Sequence, residues 1–304
     1  IRRPPRSTLD RSSAASDVYK RQEYEGPLAI KNILGELDSV EVLGRMIMVP
    51  VLNVAAFSVG TRESTADDGL NLNRMFDPLD SLQGPRDTIT HRIAAFVREC
   101  IWPYVHIVID VHSGGDVMRT ALEVSYTPSE DIVNNAEREQ IARWSGAPFV
   151  IRRKGAPDDK SGLLIDDAAR QGKMSFGSEL GWGGTSDPDG VRYARHCVIA
   201  AAVHHGQINA SIEPIDYHAD GTQRLISGGA VMTAPYDGHF ESFIMCGESV
   251  RRGQTVGHMH DFEQIDEPVL PIVSDADGFA MSQARSARVC SNQVLVGVGY
   301  EVGI

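Results

Sequence analysis

The chain has 304 residues, enough for one large domain and a smaller companion, and its 42% hydrophobic and 23% charged content is that of an ordinary globular protein. A formal net charge of −12 argues against a nucleic-acid partner, and no apolar run is long enough to span a bilayer as a helix. The four cysteines, Cys100, Cys197, Cys246 and Cys290, form no CxxC pair, which argues against a cysteine zinc site or a disulfide scaffold and for a reducing, cytoplasmic setting.

Residues 1–22 are basic, rich in Ser and Pro, and carry no hydrophobic period. They lack the apolar core of a signal peptide, and Asp10 and Asp17 count against a transit peptide. The stretch resembles translated sequencing-adaptor sequence, so it is expected to be a non-native or disordered segment without the usual leading strand. From there the pattern becomes regular. A helix is predicted over 28–37, with Pro27 in its first turn, and a strand over 45–51. A long loop follows over 58–80, of a length that in compact domains usually serves function.

Next come a helix over 88–100 and an apolar, β-branched strand over 107–111 that ends in Asp110-Val-His-Ser-Gly-Gly115. Strands over 121–126, 147–151 and 174–180 alternate with helices over 131–144, 161–171 and 190–206. This alternation predicts an α/β fold of three layers around a mostly parallel, mixed sheet, spanning residues 23–212.

After residue 213 the texture changes to short β-like runs, giving a second, all-β domain over 213–304. Asp237-Gly238 and Asp277-Gly278 each precede a short apolar run, the signal of a tight hairpin. The region resembles the small barrel-sandwich of biotinyl and lipoyl carrier domains. A carrier needs a lysine at its hairpin tip, and no lysine follows Lys173, so a structural role is expected instead.

Chemistry in an open α/β sheet gathers outside the carboxyl ends of its strands. His112 and Glu179 both stand at such ends. A carboxylate at the end of a buried strand is costly unless it has a partner or a task. Glu23 stands beside the first predicted helix, where a glutamate is also favoured by the helix dipole alone. Asn73 and Arg74 lie in the long loop and read equally as a turn and a surface charge. His204 with His205, and His258 with His260, read as interface-facing pairs rather than ligands.

Taken together, Glu23-Tyr-Glu-Gly-Pro27, Asn71-Leu-Asn-Arg74, Asp110-Val-His-Ser-Gly-Gly115 and Glu179 resemble the succinylglutamate desuccinylase/aspartoacylase branch of the zinc carboxypeptidase superfamily, from about residue 22 to the end. The motifs look most like those of bacterial N-acetyl-L-2,4-diaminobutyrate deacetylases of ectoine degradation. The resemblance implies a zinc-carboxypeptidase-like domain holding one Zn2+, with Glu23 and His112 as metal ligands. It implies Glu179 as general base, Asn73 and Arg74 as the grip on a substrate carboxylate, and Arg62 as a stabiliser of the oxyanion.

The family's first histidine ligand falls at position 20, where this chain has Lys20, an ammonium with no lone pair to offer. The chain as written is therefore expected to bind zinc weakly. The implied partner is a small N-acyl amino acid, without nucleic acid or membrane, and with homo-oligomerisation left open. The implied activity is zinc-dependent hydrolysis of a linear amide. Acetyl-diaminobutyrate, aspartoacyl and succinylglutamate specificities remain in competition, as does a non-catalytic binding homologue.

Overall fold

The computed structural model describes residues 12–17, 23–37, 40–61, 63–65, 67–76, 87–115, 118–130, 132–154, 161–209 and 223–302. The strands are β1 (Ser12–Asp17), β2 (Glu41–Val42), β3 (Arg45–Val49), β4 (Ile107–Val111), β5 (Met118–Thr120), β6 (Glu123–Tyr126), β7 (Phe149–Arg152), β8 (Met174–Glu179) and β9 (Ile208–Asn209). A further group comprises β10 (Arg224–Thr233), β11 (Gly238–Ser242), β12 (Ser249–Val250), β13 (Thr255–His260), β14 (Leu270–Val273), β15 (Gly278–Ala284), β16 (Arg288–Val289) and β17 (Val294–Glu301). The helices are α1 (Glu25–Leu37), α2 (Val54–Val59), α3 (Ile89–Phe96), α4 (Ile132–Trp144), α5 (Leu164–Arg170) and α6 (Pro188–His204).

The main sheet runs β3-β1-β4-β8-β6-β7-β10-β17-β15-β12, with β5 added on β15. From β3 to β10 adjacent strands run parallel except where β6 meets β8, and β10 then pairs antiparallel with β17. Alternation along β4 explains the layering. Ile107, Ile109 and Val111 face a core that includes Ala29 and Ile33 of α1, Ile141 of α4, and Tyr193 and Cys197 of α6. Val108 faces the opposite core, with Ala94 of α3 and Leu164 and Ile165 of α5. Residues two apart on a strand share a face, so Asp110 and the following His112 point to the α3/α5 side.

Local chemistry sets several boundaries. Asp187 caps α6 by accepting from Asp189 N and Gly190 N, with Pro188 as its first residue, so this helix begins two residues before the predicted start. The helix predicted over 88–100 stops being regular at Phe96 and continues as a π turn (Val97–Ile101) and a 3-10 turn (Trp102–Tyr104). Pro103 has no N–H and crowds the carbonyl four residues back, which ends the regular spiral.

Two expectations are corrected. No leading strand was expected, yet the backbone of Ser12–Asp17 lies between β3 and β4, parallel to both. Ladder hydrogen bonds come from the backbone, so a segment of poor strand composition can fill the slot. The two Asp-Gly turns do not close hairpins. Gly238 opens β11, which pairs with β13 and β16, and Gly278 opens β15, which pairs with β12, β17 and β5. Each turn instead carries the chain from one sheet to the other. A Cβ at Gly278 would stand 2.1 Å from Gly299 O, so the crossing brings backbone against backbone.

The second sheet is β14-β13-β11-β16. It shares one apolar core with β10, β12, β15 and β17, built from Phe240, Val256, Met259, Ala280, Leu295 and Val298 among others. β10 pairs in parallel with β7, so the main sheet passes without a break through the region where the two domains were predicted to meet. No described helix is long and apolar enough to cross a membrane.

Candidate active site

Glu23 stands just before α1 and is 1% exposed. Its Oε2 lies 2.9 Å from His112 Nδ1 and accepts a bond from Ser113 N at 3.1 Å. Its Oε1 is buried and has no hydrogen-bond partner among the described residues. His112 follows the last residue of β4, and its backbone N–H donates to Ser178 Oγ at 3.0 Å, which ties it to the neighbouring strand β8.

The other face of the imidazole has two claimants. Asp110 Oδ2 is 2.8 Å from Nε2, and Asn73 Nδ2 is 3.0 Å from it. Asn73 Oδ1 accepts from Leu164 N at 2.8 Å, so its amino group is the end that faces the ring. A nitrogen that donates to Asp110 cannot also accept from Asn73. Burial would lower the His112 pKa, but the charges of Asp110 and Glu23 outweigh it and hold the ring well above the ordinary imidazole value. Two carboxylates thus flank the ring, one at each nitrogen.

Glu179 ends β8. Continuing the parallel register Asp110↔Gly177 by two residues brings it beside His112 on the same face. Glu123 lies opposite Glu179 across the antiparallel β6/β8 pair. Burial, then the charge of Glu179, pushes the Glu123 carboxyl well above the usual carboxylate range, with Arg153 opposing. Glu25 is also buried and accepts from Asp187 N at 2.9 Å. A Cβ at Gly181 would sit 2.0 Å from Glu25 Oε1, so glycine there makes room for that carboxylate. Burial raises the Glu25 pKa, and the Asp187 backbone bond partly offsets the rise.

Glu23, Asn73 and His112 are thus brought into contact, and Glu179 joins them on one sheet face. Asn71 caps the 3-10 turn Leu72–Arg74 by accepting from Asn73 N at 3.0 Å, which presents Asn73 inward. Arg74 is adjacent and exposed, with Nη1 donating to Asn73 O at 2.6 Å. Arg62 and Lys20 lie outside the described residues.

The donor set suits a zinc-like cation. An imidazole nitrogen and a carboxylate oxygen approach one another, the second carboxylate oxygen is buried with no partner among the described residues, and Asp110 stands behind the imidazole as metal-binding histidines require. Three site residues were missing from the sequence reading. Asp110 carried a signal, an aspartate two residues before His112 within an apolar strand. Glu25 and Glu123 carried little, because their neighbours are set by tertiary packing.

Residues 22–205 match the succinylglutamate desuccinylase/aspartoacylase catalytic domain. The chain is 28% identical over 274 residues to the N-alpha-acetyl-L-2,4-diaminobutyric acid deacetylase of Halomonas elongata, covering 88% of this chain and 75% of that protein. A solved succinylglutamate desuccinylase/aspartoacylase from Rhodobacter sphaeroides superposes with a TM-score of 0.84 at 26% identity, covering 96% of this chain and 86% of that one. The product-bound ectoine utilization protein EutE from Ruegeria pomeroyi shares the fold, with a TM-score of 0.81 at 23% identity over 96% and 86% of the two chains.

Proposed function

The chain belongs to the succinylglutamate desuccinylase/aspartoacylase family, and from that premise we propose that it is a zinc-dependent amidohydrolase removing an acetyl group from a small N-acetylated amino acid, N-acetyl-diaminobutyrate. The observation that carries the reading is the buried Glu23–His112 pair, with one carboxylate oxygen unclaimed among the described residues and Glu179 on the same face. The Halomonas elongata relative supports the choice of acetyl group and amino acid.

Glu23 and His112 would hold the ion, with the third ligand of the family pattern falling at Lys20. The bound ion would supply a water made acidic near neutral pH and a polarised amide carbonyl. Asp110 orients His112 by accepting a hydrogen bond from its Nε2–H, which leaves the Nδ1 lone pair to ligate the ion beside Glu23. Asn73 then cannot donate to that protonated nitrogen, so its amino group is left to bind the substrate. The planar guanidinium of Arg74 suits a bidentate grip on the substrate carboxylate. Glu179 takes the proton of the attacking water and returns it to the leaving amine. Arg62 is assigned to the oxyanion on the family pattern alone.

The strands from β10 onward are read as a carrier-like barrel-sandwich that cannot be acylated and serves a structural role. The retained Glu23, His112 and Glu179 count against a non-catalytic homologue.

The test uses Lys20→His chain, assayed for acetate release from N-acetyl-diaminobutyrate before and after chelation. Adding Glu179→Gln should leave zinc binding intact and lower kcat by roughly 10²–10⁴-fold, the usual worth of a general base. Undiminished turnover in the Glu179→Gln protein, or after exhaustive chelation, would falsify the proposal.

A further inference from the structure

We propose that the C-terminal β region carries a separate binding site for a divalent transition-metal cation, formed on one sheet face by Glu241, His258 and His260, with His239 beside them. The inference does not rest on the deacylase reading. The sequence alone suggested an interface-facing histidine pair, and the structure adds the carboxylate that changes its chemistry.

The placement follows from strand geometry. β11 and β13 run antiparallel with His239 opposite His260 and Glu241 opposite His258. Directly opposed residues share a face, as do residues two apart on a strand, so all four side chains stand together. The ligand atoms of Glu241, His258 and His260 all lie within 4.8 Å of one another. Glu241 Oε2 is 2.9 Å from His260 Nε2 and 4.0 Å from His258 Nδ1.

Bonds of about 2.0–2.1 Å to a tetrahedral ion put neighbouring ligand atoms roughly 3.3 Å apart. The two observed separations bracket that value, so rotamer adjustment rather than backbone movement completes the site. His239 Nδ1 is buried and has no hydrogen-bond partner among the described residues.

Aromatic neighbours hold the imidazoles. The Phe243 ring meets His258 edge-on at 4.7 Å, and Phe262 lies 5.9 Å from His260 and 4.7 Å from His239. Rings already ordered lose less freedom on binding. Imidazole with carboxylate selects Zn2+, Ni2+ or Cu2+ over Mg2+ and Ca2+, which take all-oxygen sets. A cluster of the same composition has Glu137 Oε1 2.9 Å from His204 Nε2 and 3.7 Å from His205 Nε2, but its two histidines are consecutive at the end of α6 and lack the shared strand face. Consecutive helix residues point about 100° apart, from 3.6 residues per turn, whereas alternate strand residues point the same way.

The experiment is calorimetric titration of the full chain with Zn2+, repeated on His258→Ala, His260→Ala and Glu241→Gln. Titration with Cu2+ followed by electron paramagnetic resonance then counts bound imidazole nitrogens. Each change should weaken one zinc equivalent by at least about tenfold, since even losing a supporting group behind a ligand costs that much. The copper signal should carry coupling to at least two nitrogens that falls in the histidine variants, while His204→Ala leaves both readouts unchanged. Glu241→Gln keeps the side-chain shape and guards against loss of fold. Isotherms identical to the parent in all three variants, loss of the equivalent in His204→Ala instead, or Mg2+ binding as tightly as Zn2+ would overturn the proposal.

Discussion

Buried charge is unevenly distributed between the two regions. Before residue 208, Glu23, Glu25, Asp110, His112, Arg138, Asp166 and Asp167 are all buried. In the region from β10 onward, the buried polar residues among those described are the uncharged Ser274 and Gln283, and the titratable histidines and Glu241 lie toward the surface. Burying a charge is expensive unless it is paired and hydrogen-bonded, so each buried ion in the first region needs an account.

Two kinds emerge. Asp167 is closely satisfied by Arg98 Nε at 3.1 Å and Trp102 Nε1 at 2.8 Å, the pattern of a structural ion. Glu23 and Asp110 each keep one buried carboxylate oxygen with no hydrogen-bond partner among the described residues, although both flank His112. At Asp167 the carboxylate is held by the scaffold, whereas at Glu23 and Asp110 one buried oxygen each has no partner among the described residues.

The largest effects should come from the two cores. Phe176 and Leu295 are both fully buried, one in each region. Phe176→Ala should destabilise by about 3–5 kcal/mol and Leu295→Ala by about 2–5 kcal/mol. Because β7 and β10 join the regions in one sheet, each change should shift a single denaturant transition. Two separate transitions, with only one moved by each variant, would show instead that the regions fold independently.

Asp167→Asn should cost about 3–5 kcal/mol by removing the buried charge that Arg98 and Trp102 share, yet leave zinc affinity unchanged. Asp110→Asn should do the reverse, weakening zinc roughly 10–100-fold by removing the acceptor behind His112. Paired melts and zinc titrations test the division, and equal loss of zinc affinity in both variants would erase it.

A smaller effect concerns His196 on α6. Burial, then the charges of Arg195 and Arg192, brings its pKa from 6.5 down to about 4. Above pH 6.5 the ring is neutral whether the chain is folded or not. As pH falls from 6.5 toward 4 the unfolded chain takes up the proton first, so stability is lost through that window. The loss should be at most ~1–2 kcal/mol, because the ring is only partly buried and water screens it. His196→Gln should flatten the pH dependence of the melting temperature between those limits, and an unchanged slope would assign it to other groups.

Much of this architecture is legible in the chain because it is local. The apolar run Ile107–Val111, Pro27 in the first turn of α1 and the run of alternating strands and helices depend on neighbours a few residues away. Glu23, Asn73, His112 and Glu179 were visible through motifs held in order. Tertiary structure alone decided the rest. Glu123 faces Glu179 because β6 is inserted antiparallel beside β8, and no local period encodes that pairing. The Asp-Gly turns cross between sheets because the strands that follow find distant partners. Asn73 reaches His112 through a backbone bond from Leu164, and Glu241 meets His258 and His260 through strand register. Periodicity tells which face of an element is buried, whereas register between distant segments, set by packing of the whole core, determines which polar groups meet there.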